Sequence, residues 1–498
     1  MPCGKDLAET SFARWGGTEY LESNQVATMS DLHETRRRFL QGLSLAMLAS
    51  SVRLTFASEA PVRPNIVFIL ADDLGYADLS VYGQTDYRTP HLDALAAGGV
   101  RLTQAYANSA VCSATRFALI TGRYQYRLQG GLEEPIVDPS NVAGLPPEHP
   151  TLPSLCRKAG YRTALIGKWH LGFLPKFGPL KSGYDEFFGN YGGSVDYFTH
   201  RPDVGEKEPE DLFEGEVPVH KAGYYTEVLG DKAVEYLERA SPLQPFLLSL
   251  HFTAPHWPWE GPGDEIVSRE LTDIFHYDGG NLAVYARMVE ALDMQVGRVI
   301  EALEKRGLAD NTIVVFTSDN GGERFSKTWP FTGQKSELLE GGIRIPAMIR
   351  WPQRLPAGSV STQVAISMDW LPTLLAAIGS QPDTAYPSDG VNLLPVLQGA
   401  RETFPRTLFW RYKANHQRAT RSGDWKYLKI NDNEFLFDVN VDQRERANLA
   451  KKFPAKLAEL KTSWKAWDKQ MLPISHHSFS YGVKSKHQAD HYAPEGSS

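Results

Sequence analysis

Residues 64–76, PNIVFILADDLGY, run from a proline through β-branched and apolar residues into two adjacent carboxylates, Asp72 and Asp73. A short apolar run closed by polar residues and a glycine reads as a strand followed by a turn. Three later stretches repeat the form: YRTALIGKWH (161–170), PFLLSLHFTAPH (245–256) and NTIVVFTSDNGG (311–322). Each is a short apolar run ending in residues able to do chemistry. Helical patterns lie between them, in TPHLDALAAGGV (89–100), TLPSLCRKAG (151–160), EVLGDKAVEYLERA (227–240) and the strongly amphipathic VYARMVEALDMQVGRVIEALEKRG (284–307), which Gly307 stops. Strands alternating with helices predict an α/β fold with a mainly parallel mixed sheet sandwiched by helices. In such sheets ligands bind beyond the carboxyl ends of the strands, where these polar residues fall.

After about residue 395 the texture changes. TLFWRYK, HQRATRSGDWKYLKI and NEFLFDVNVD read as short strands with turns, and PAKLAELKTSWKAWDKQM as a helix. A small C-terminal antiparallel sheet plus helix is expected over 396–475, after a catalytic α/β domain over 61–395. From about His476 the chain is polar and is expected to be mobile or to wrap the surface as a tail over 476–498.

The N-terminus follows other rules. TRRRFLQGLSLAMLASSV (35–52) sets Arg36, Arg37 and Arg38 ahead of an apolar run. The run, about 13 residues, falls short of the about 20 that span a bilayer, so no stable membrane span is expected and a signal-peptide core is. Thr35 to Gln41 looks like a twin-arginine export signal, which predicts the export machinery as a partner and a periplasmic or secreted product. Met29 would open that signal peptide, 29–60, leaving 1–28 as an upstream extension.

With 42% hydrophobic and 22% charged residues in 498, the composition is that of an ordinary globular protein. A net charge of −7 excludes a broad basic surface for nucleic acid. Cys3, Cys112 and Cys156 are too few and too scattered for a disulfide framework or a zinc knuckle. Cys156 reads as a buried structural thiol. Cys112 opens CSATRFALITGR (112–123), where a helix start would favour a thiolate and a buried turn would favour an inert thiol.

Two carboxylates at one strand end and Asp319 with Asn320 at another would repel if they converged, so the set calls for a cation. Its hard oxygens point to Ca²⁺ or Mg²⁺ ahead of zinc. Lys168 and His170, two apart on an extended chain, would face one side and suit an anion and a proton transfer. His256, in a proline-bounded loop, is a candidate general acid, and Lys335 lies among glycines that let backbone approach a ligand.

Taken in chain order, PNIVFILADDLGY, CSATRFALITGR, GKWHLG, APHWP, SDNGG and GQKSELLEGGIRIP resemble the motif set of the type I, formylglycine-dependent sulfatases of the alkaline phosphatase superfamily, over roughly residues 64–450. That resemblance implies an alkaline-phosphatase-like fold and hydrolysis of an aryl or carbohydrate sulfate monoester. It implies that a maturase oxidises Cys112 to formylglycine, whose hydrate attacks sulfur to give a covalent sulfo-enzyme. Asp72, Asp73, Asp319, Asn320 and an oxygen of the modified Cys112 would hold one Ca²⁺. Arg116 would position the diol, Lys168 and Lys335 would bind sulfate, and Ser194 in GNYGGSVDYF would add a further contact. His256 would protonate the leaving alcohol, and His170 would take the diol proton. The third and fourth motif positions are Ala114 and Thr115, where the commonest form has proline and serine; alanine variants resemble those of several bacterial members. Two alternatives are a phosphoester or phosphonate hydrolase of the same superfamily, and an unmodified pseudo-enzyme that binds sulfated glycans through basic residues and Trp257, Trp259 and Trp329.

Overall fold

The computed structural model describes residues 63–205, 209–475 and 477–482, so the basic and apolar N-terminal segment lies outside the described residues. Asn65–Ala71 forms strand β1 near the middle of a ten-stranded sheet. The other strands of that sheet are β2 (Val100–Leu102), β4 (Arg162–Gly167), β5 (Glu186–Gly189), β6 (Phe213–Glu214), β7 (Val217–Pro218), β8 (Phe246–His251), β9 (Thr312–Ser318), β10 (Ala347–Arg350) and β11 (Ser359–Ser361). Short strands β3 (Ala105–Tyr106) and β12 (Ala365–Ile366) pair with each other. The order across the large sheet is β11-β2-β10-β9-β1-β8-β4-β5-β6-β7. Its centre, β9-β1-β8-β4-β5, is parallel throughout. Antiparallel pairing enters at β10, β6 and β7.

The alternation of β1 divides the core. Val67, Ile69 and Ala71 face one layer, packed with helices Pro90–Ala97, Tyr225–Glu238 and Leu282–Lys305; Ile66, Phe68 and Leu70 face the other, with Leu152–Lys158 and Trp370–Ala377. Both faces are covered, which is why the central strands read as unbroken apolar runs. Helix Leu282–Lys305 begins where Asn281 accepts a hydrogen bond from Val284 N at 3.0 Å, and Gly307, at φ +66°, ends the turn after it.

The C-terminal segment forms an antiparallel meander of β13 (Thr407–Tyr412), β14 (Gln417–Ser422), β15 (Trp425–Ile430) and β16 (Asn433–Asp438), with helix Pro454–Asp468 packed on it. Its Trp410 is fully buried, and the indole N–H donates to Ala107 O at 2.8 Å. No helix among the described residues is long and apolar enough to cross a membrane. The strand read into GKWH is three residues shorter than the sequence suggested: β4 stops at Gly167, and Lys168, Trp169 and His170 follow it as irregular backbone with His170 at φ +56°.

Candidate active site

Parallel register brings the acids together. Ala71 of β1 pairs with Ser318 of β9, so Asp72 and Asp319 emerge at the same level from adjacent strand ends. Asp73 turns into the left-handed region at φ +61°, and its N–H donates to Asp319 Oδ1 at 3.2 Å. Asn320 Nδ2 donates to Asp73 Oδ1 at 2.7 Å. All four side chains are buried.

Cys112 is the first residue of helix Cys112–Thr121, whose ten residues are all buried. Thr115 closes the turn ahead of it, accepting from Ser109 N at 3.0 Å and donating to Ser109 O at 3.1 Å; a serine hydroxyl could do the same. Ala114 packs in the apolar cluster that includes Tyr106 and Trp410. One helical turn after Cys112, Arg116 points the same way. Its Nε and Nη2 both donate to Asp319 Oδ2, at 3.0 and 2.9 Å, and Nη1 donates to Lys168 O at 3.3 Å. Burial pushes the Cys112 thiol up to about 11 despite Lys168, so desolvation overrides the helix dipole and the side chain is a poor thiolate. Cys156 is likewise buried, and burial pushes its thiol up to about 12.

Lys168 pairs with Asp72, and Lys335 Nζ with Asp73 at 2.6 Å and Glu323 at 3.4 Å. Burial raises Asp72 well above the carboxylate range, with Asp319 adding to it, and raises Asp73 to about 6. Burial also works against the ionised Asp319, but Arg116 and Lys168 outweigh it and hold that carboxyl low. His170 Nε2 lies 2.7 Å from Ile136 O; a carbonyl can only accept, so Nε2 carries the proton and Nδ1, buried without a partner, keeps its lone pair. His256 Nδ1 donates to Trp257 O at 2.7 Å, and its Nε2 faces Asp73 Oδ2 at 3.6 Å. Burial holds both rings well below the usual imidazole value, with Lys168 acting on His170 and Lys335 on His256.

The donor chemistry fits a hard divalent cation. One ligand atom each of Asp72, Cys112 and Asp319 lie within 4.8 Å of one another, as do those of Asp72, Asp73 and His256. Asp72 Oδ1 and Asn320 Oδ1 are buried with no hydrogen-bond partner, a costly state that Arg116 Nη2, 3.8 Å from Asp72 Oδ1, relieves only in part and that a bound cation would relieve further.

A sulfatase family model matches residues 64–380, which include every one of these side chains. The chain belongs to the sulfatase family. The N-acetylgalactosamine-6-sulfatase of Homo sapiens is 34% identical over 390 residues, covering 74% of this chain and 72% of that protein. Arylsulfatase J of Mus musculus is 30% identical over 469 residues, covering 83% and 77%. The crystal structure of Ps i-CgsB in complex with k-i-k-neocarrahexaose has a TM-score of 0.75 at 30% identity and covers 87% of this chain and 98% of that one. The protein is therefore an enzyme that hydrolyses sulfate esters on an alkaline-phosphatase-like scaffold.

Ser194 is half-buried and adjoins Gly193, where an added Cβ would meet the His170 ring at 2.6 Å. Of the three tryptophans read as a glycan platform, Trp257 is half-buried against His256, and Trp329 is exposed under Arg444. Trp259 is 2% exposed and packs on Tyr285 and Phe325, so it serves the core rather than a sugar. The sequence reading missed several residues of this sulfatase's site. Glu323, one residue past SDNGG, supports Lys335; His251, at the end of β8, lies behind Arg116 with Nδ1 3.3 Å from Lys168 O. Gln417 grips the Lys335 loop, accepting from Leu338 N and donating to Ser336 O, both at 2.8 Å. An acid next to a motif and a histidine at a strand end are visible signals; Gln417 has none.

Proposed function

We propose that this sulfatase cleaves sulfate from a carbohydrate or aryl sulfate monoester with a nucleophile made from Cys112 beside a single Ca²⁺. One observation carries the reading: Cys112 Sγ shares a cluster with Asp72 and Asp319, and two buried oxygens of the acid set, Asp72 Oδ1 and Asn320 Oδ1, accept no hydrogen bond, Arg116 Nη2 coming only to 3.8 Å of the first. Asp72, Asp73, Asp319 and Asn320, with one oxygen on the modified residue 112, would hold the ion. A site rich in protein oxygens suits Ca²⁺ better than Mg²⁺, which keeps several waters. When bound, the ion polarises a sulfate oxygen and lowers the pKa of the attacking hydroxyl. Conversion of Cys112 to formylglycine by a maturase supplies that hydroxyl as part of an aldehyde hydrate.

The chain's own residues do the rest. Arg116, anchored on Asp319, fixes residue 112 and its neighbouring carboxylates. Lys168 and Lys335 turn from Asp72 and Asp73 to the sulfate oxygens, where negative charge builds, and Ser194 adds a contact there. His256 keeps its Nδ1–H on Trp257 O, so it serves as the acid only as the imidazolium: with the anionic ester bound beside it, Nε2 takes up a proton and passes it to the leaving alcohol. His170, with its free lone pair at Nδ1, takes the proton from the hydroxyl that stays on residue 112 and so lets sulfate depart. The names of N-acetylgalactosamine-6-sulfatase and of the Ps i-CgsB complex with k-i-k-neocarrahexaose favour a sugar ester as the substrate class. Residues 35–52 support delivery by twin-arginine export to the periplasm or beyond, and substituting Arg36 and Arg37 with lysine should retain the precursor inside the cell.

The test joins mass to turnover. The peptide carrying residue 112 should be lighter than its encoded form by about 18 Da, the change from thiol to aldehyde, and the protein should hydrolyse 4-nitrophenyl sulfate. An intact thiol with no hydrolysis would support the glycan-binding pseudo-enzyme instead.

A further inference from the structure

Residues 477–482 run back across the molecule to the mouth of the active site. Glu134 N donates to Phe479 O at 3.1 Å and Tyr481 N donates to Glu134 O at 2.5 Å, so the strap is pinned by main-chain pairing to the segment that also carries Ile136, the partner of His170. Lys413 Nζ donates to Ser478 O at 2.8 Å, and Tyr412 O–H donates to Tyr481 O at 2.5 Å. These anchors set the Tyr481 ring about Lys335, whose Nζ is 5.9 Å from its centroid and 5.8 Å from that of Trp257. The Tyr481 hydroxyl donates to Glu323 Oε1 at 3.3 Å and lies 3.4 Å from the Tyr277 hydroxyl. Tyr277 stacks on Phe275, and Phe275 packs on Trp257.

Burial decides where this cluster sits. Asp72, Asp73, Asp319, Lys168 and His170 are at most 1% exposed, whereas Trp257, Tyr277 and Tyr481 are half-buried. The aromatic residues therefore form the outer wall of the crevice, one step outward from Lys335. Resting on the sulfatase reading, we infer that Tyr481, with Tyr277 and Glu323, forms the wall that receives the leaving alcohol and selects a hydroxylated sugar ring. Two phenols 3.4 Å apart and a carboxylate 3.3 Å from one of them offer both donors and acceptors. Trp257 offers an apolar face beside them. A sugar presents hydroxyl edges and a C–H face to match, whereas a flat aryl group adds nothing to the bonds the polar set already makes within itself. A wall built to bond hydroxyl groups discriminates strongly against a group that lacks them.

The test compares two esters on the full-length enzyme. N-acetylgalactosamine 6-sulfate and glucosamine 6-sulfate are assayed beside 4-nitrophenyl sulfate, with the better sugar ester carried forward. In Tyr481→Phe, kcat/KM for the sugar ester should fall about tenfold more than for the aryl ester, chiefly through KM, with thermal midpoint kept; one lost hydroxyl contact is about 1.4 kcal/mol per tenfold. Tyr481→Ala should widen the gap further. Equal losses on both esters, or none, would overturn the assignment, as would a wild type that cleaves 4-nitrophenyl sulfate but neither sugar ester. Failure of the wild type on all three esters would instead strike the sulfatase reading and take the wall's role with it.

Discussion

At residue 112 two influences on a thiol compete, and the magnitudes decide. A helix N-terminus favours the anion by only about 0.3–1 kcal/mol when exposed, whereas full burial shifts a pKa by several units the other way. Cys112, 2% exposed, is therefore a poor thiolate, which agrees with the proposal that the nucleophile is made from it. Cys112→Ala should lower 4-nitrophenyl sulfate turnover by at least about 10³-fold while the fold persists, because a small side chain replaces a small one in an apolar surround. Asp319 behaves differently. It takes two N–H groups of the buried Arg116, so Asp319→Ala strands a guanidinium and should cost about 3–5 kcal/mol of stability as well as activity. Unchanged turnover in that variant would remove the metal assignment, and an unchanged thermal midpoint would remove the ion-pair argument. Gly193 is a third case. A methyl there would come within 2.6 Å of the His170 ring, so Gly193→Ala should reduce kcat by displacing the ring while leaving global stability nearly intact, as read from pre-steady-state turnover and thermal melts.

Among the elements, the strands whose ends carry chemistry were legible because central parallel strands are buried on both faces and show as bare apolar runs. β1, β4, β8 and β9 all came from that pattern, and with them Asp72, Asp73, Lys168 and Asp319. The edges were not legible. β6 and β7 are two residues each, too short for any periodicity, and β10 runs antiparallel for reasons set by its neighbours β2 and β9 rather than by its own sequence. The loop holding Lys335 is a further instance. Ser336 sits at φ +74°, and the loop is held open by Gln417 at the start of β14, some eighty residues away in sequence. No local signal foretells a contact made by tertiary packing alone. Gln417→Ala should leave Leu338 N and Ser336 O without their partners, costing about 1–3 kcal/mol, and should raise KM for sulfate esters as Lys335 loses its fixed position. Gln417→Glu keeps the acceptor for Leu338 N but turns an oxygen toward Ser336 O and Ala414 O, so its KM should rise at least as far as that of the alanine variant. A KM unmoved in both would show that the loop holds Lys335 without help from the C-terminal sheet.

Across the whole molecule, Glu134 is where the parts meet: its backbone pairs with the strap at 479–481, its Oε2 accepts from Lys413 N at 2.9 Å and Ser480 Oγ at 2.8 Å, and the carboxyl lies near Arg411, Tyr126 and Tyr412. Burial pushes it up to about 7 from an ordinary value of 4.5, against the pull of those donors and of the Lys413 and Arg411 charges. The folded state thus binds this proton more tightly than the unfolded chain does. Its contribution to stability is full below about pH 4.5 and is lost as pH rises to about 7, beyond which it is constant. At about 1.4 kcal/mol per pKa unit, the loss is about 3 kcal/mol at most. Glutamine keeps an acceptor for Lys413 N and Ser480 Oγ but carries no titrating proton. Glu134→Gln should therefore be comparable to the wild type at pH 4.5 and more stable than it at pH 8, with the difference opening between those values in paired denaturant titrations. Since the same segment presents Ile136 O to His170 and main-chain groups to Tyr481, the variant should also keep sugar-ester turnover at high pH for longer on prolonged heating. Parallel stability curves for the two proteins across that range would show that Glu134 ionises in the folded state as easily as in water, and that the junction of strap, core and C-terminal sheet is wetter than its packing implies.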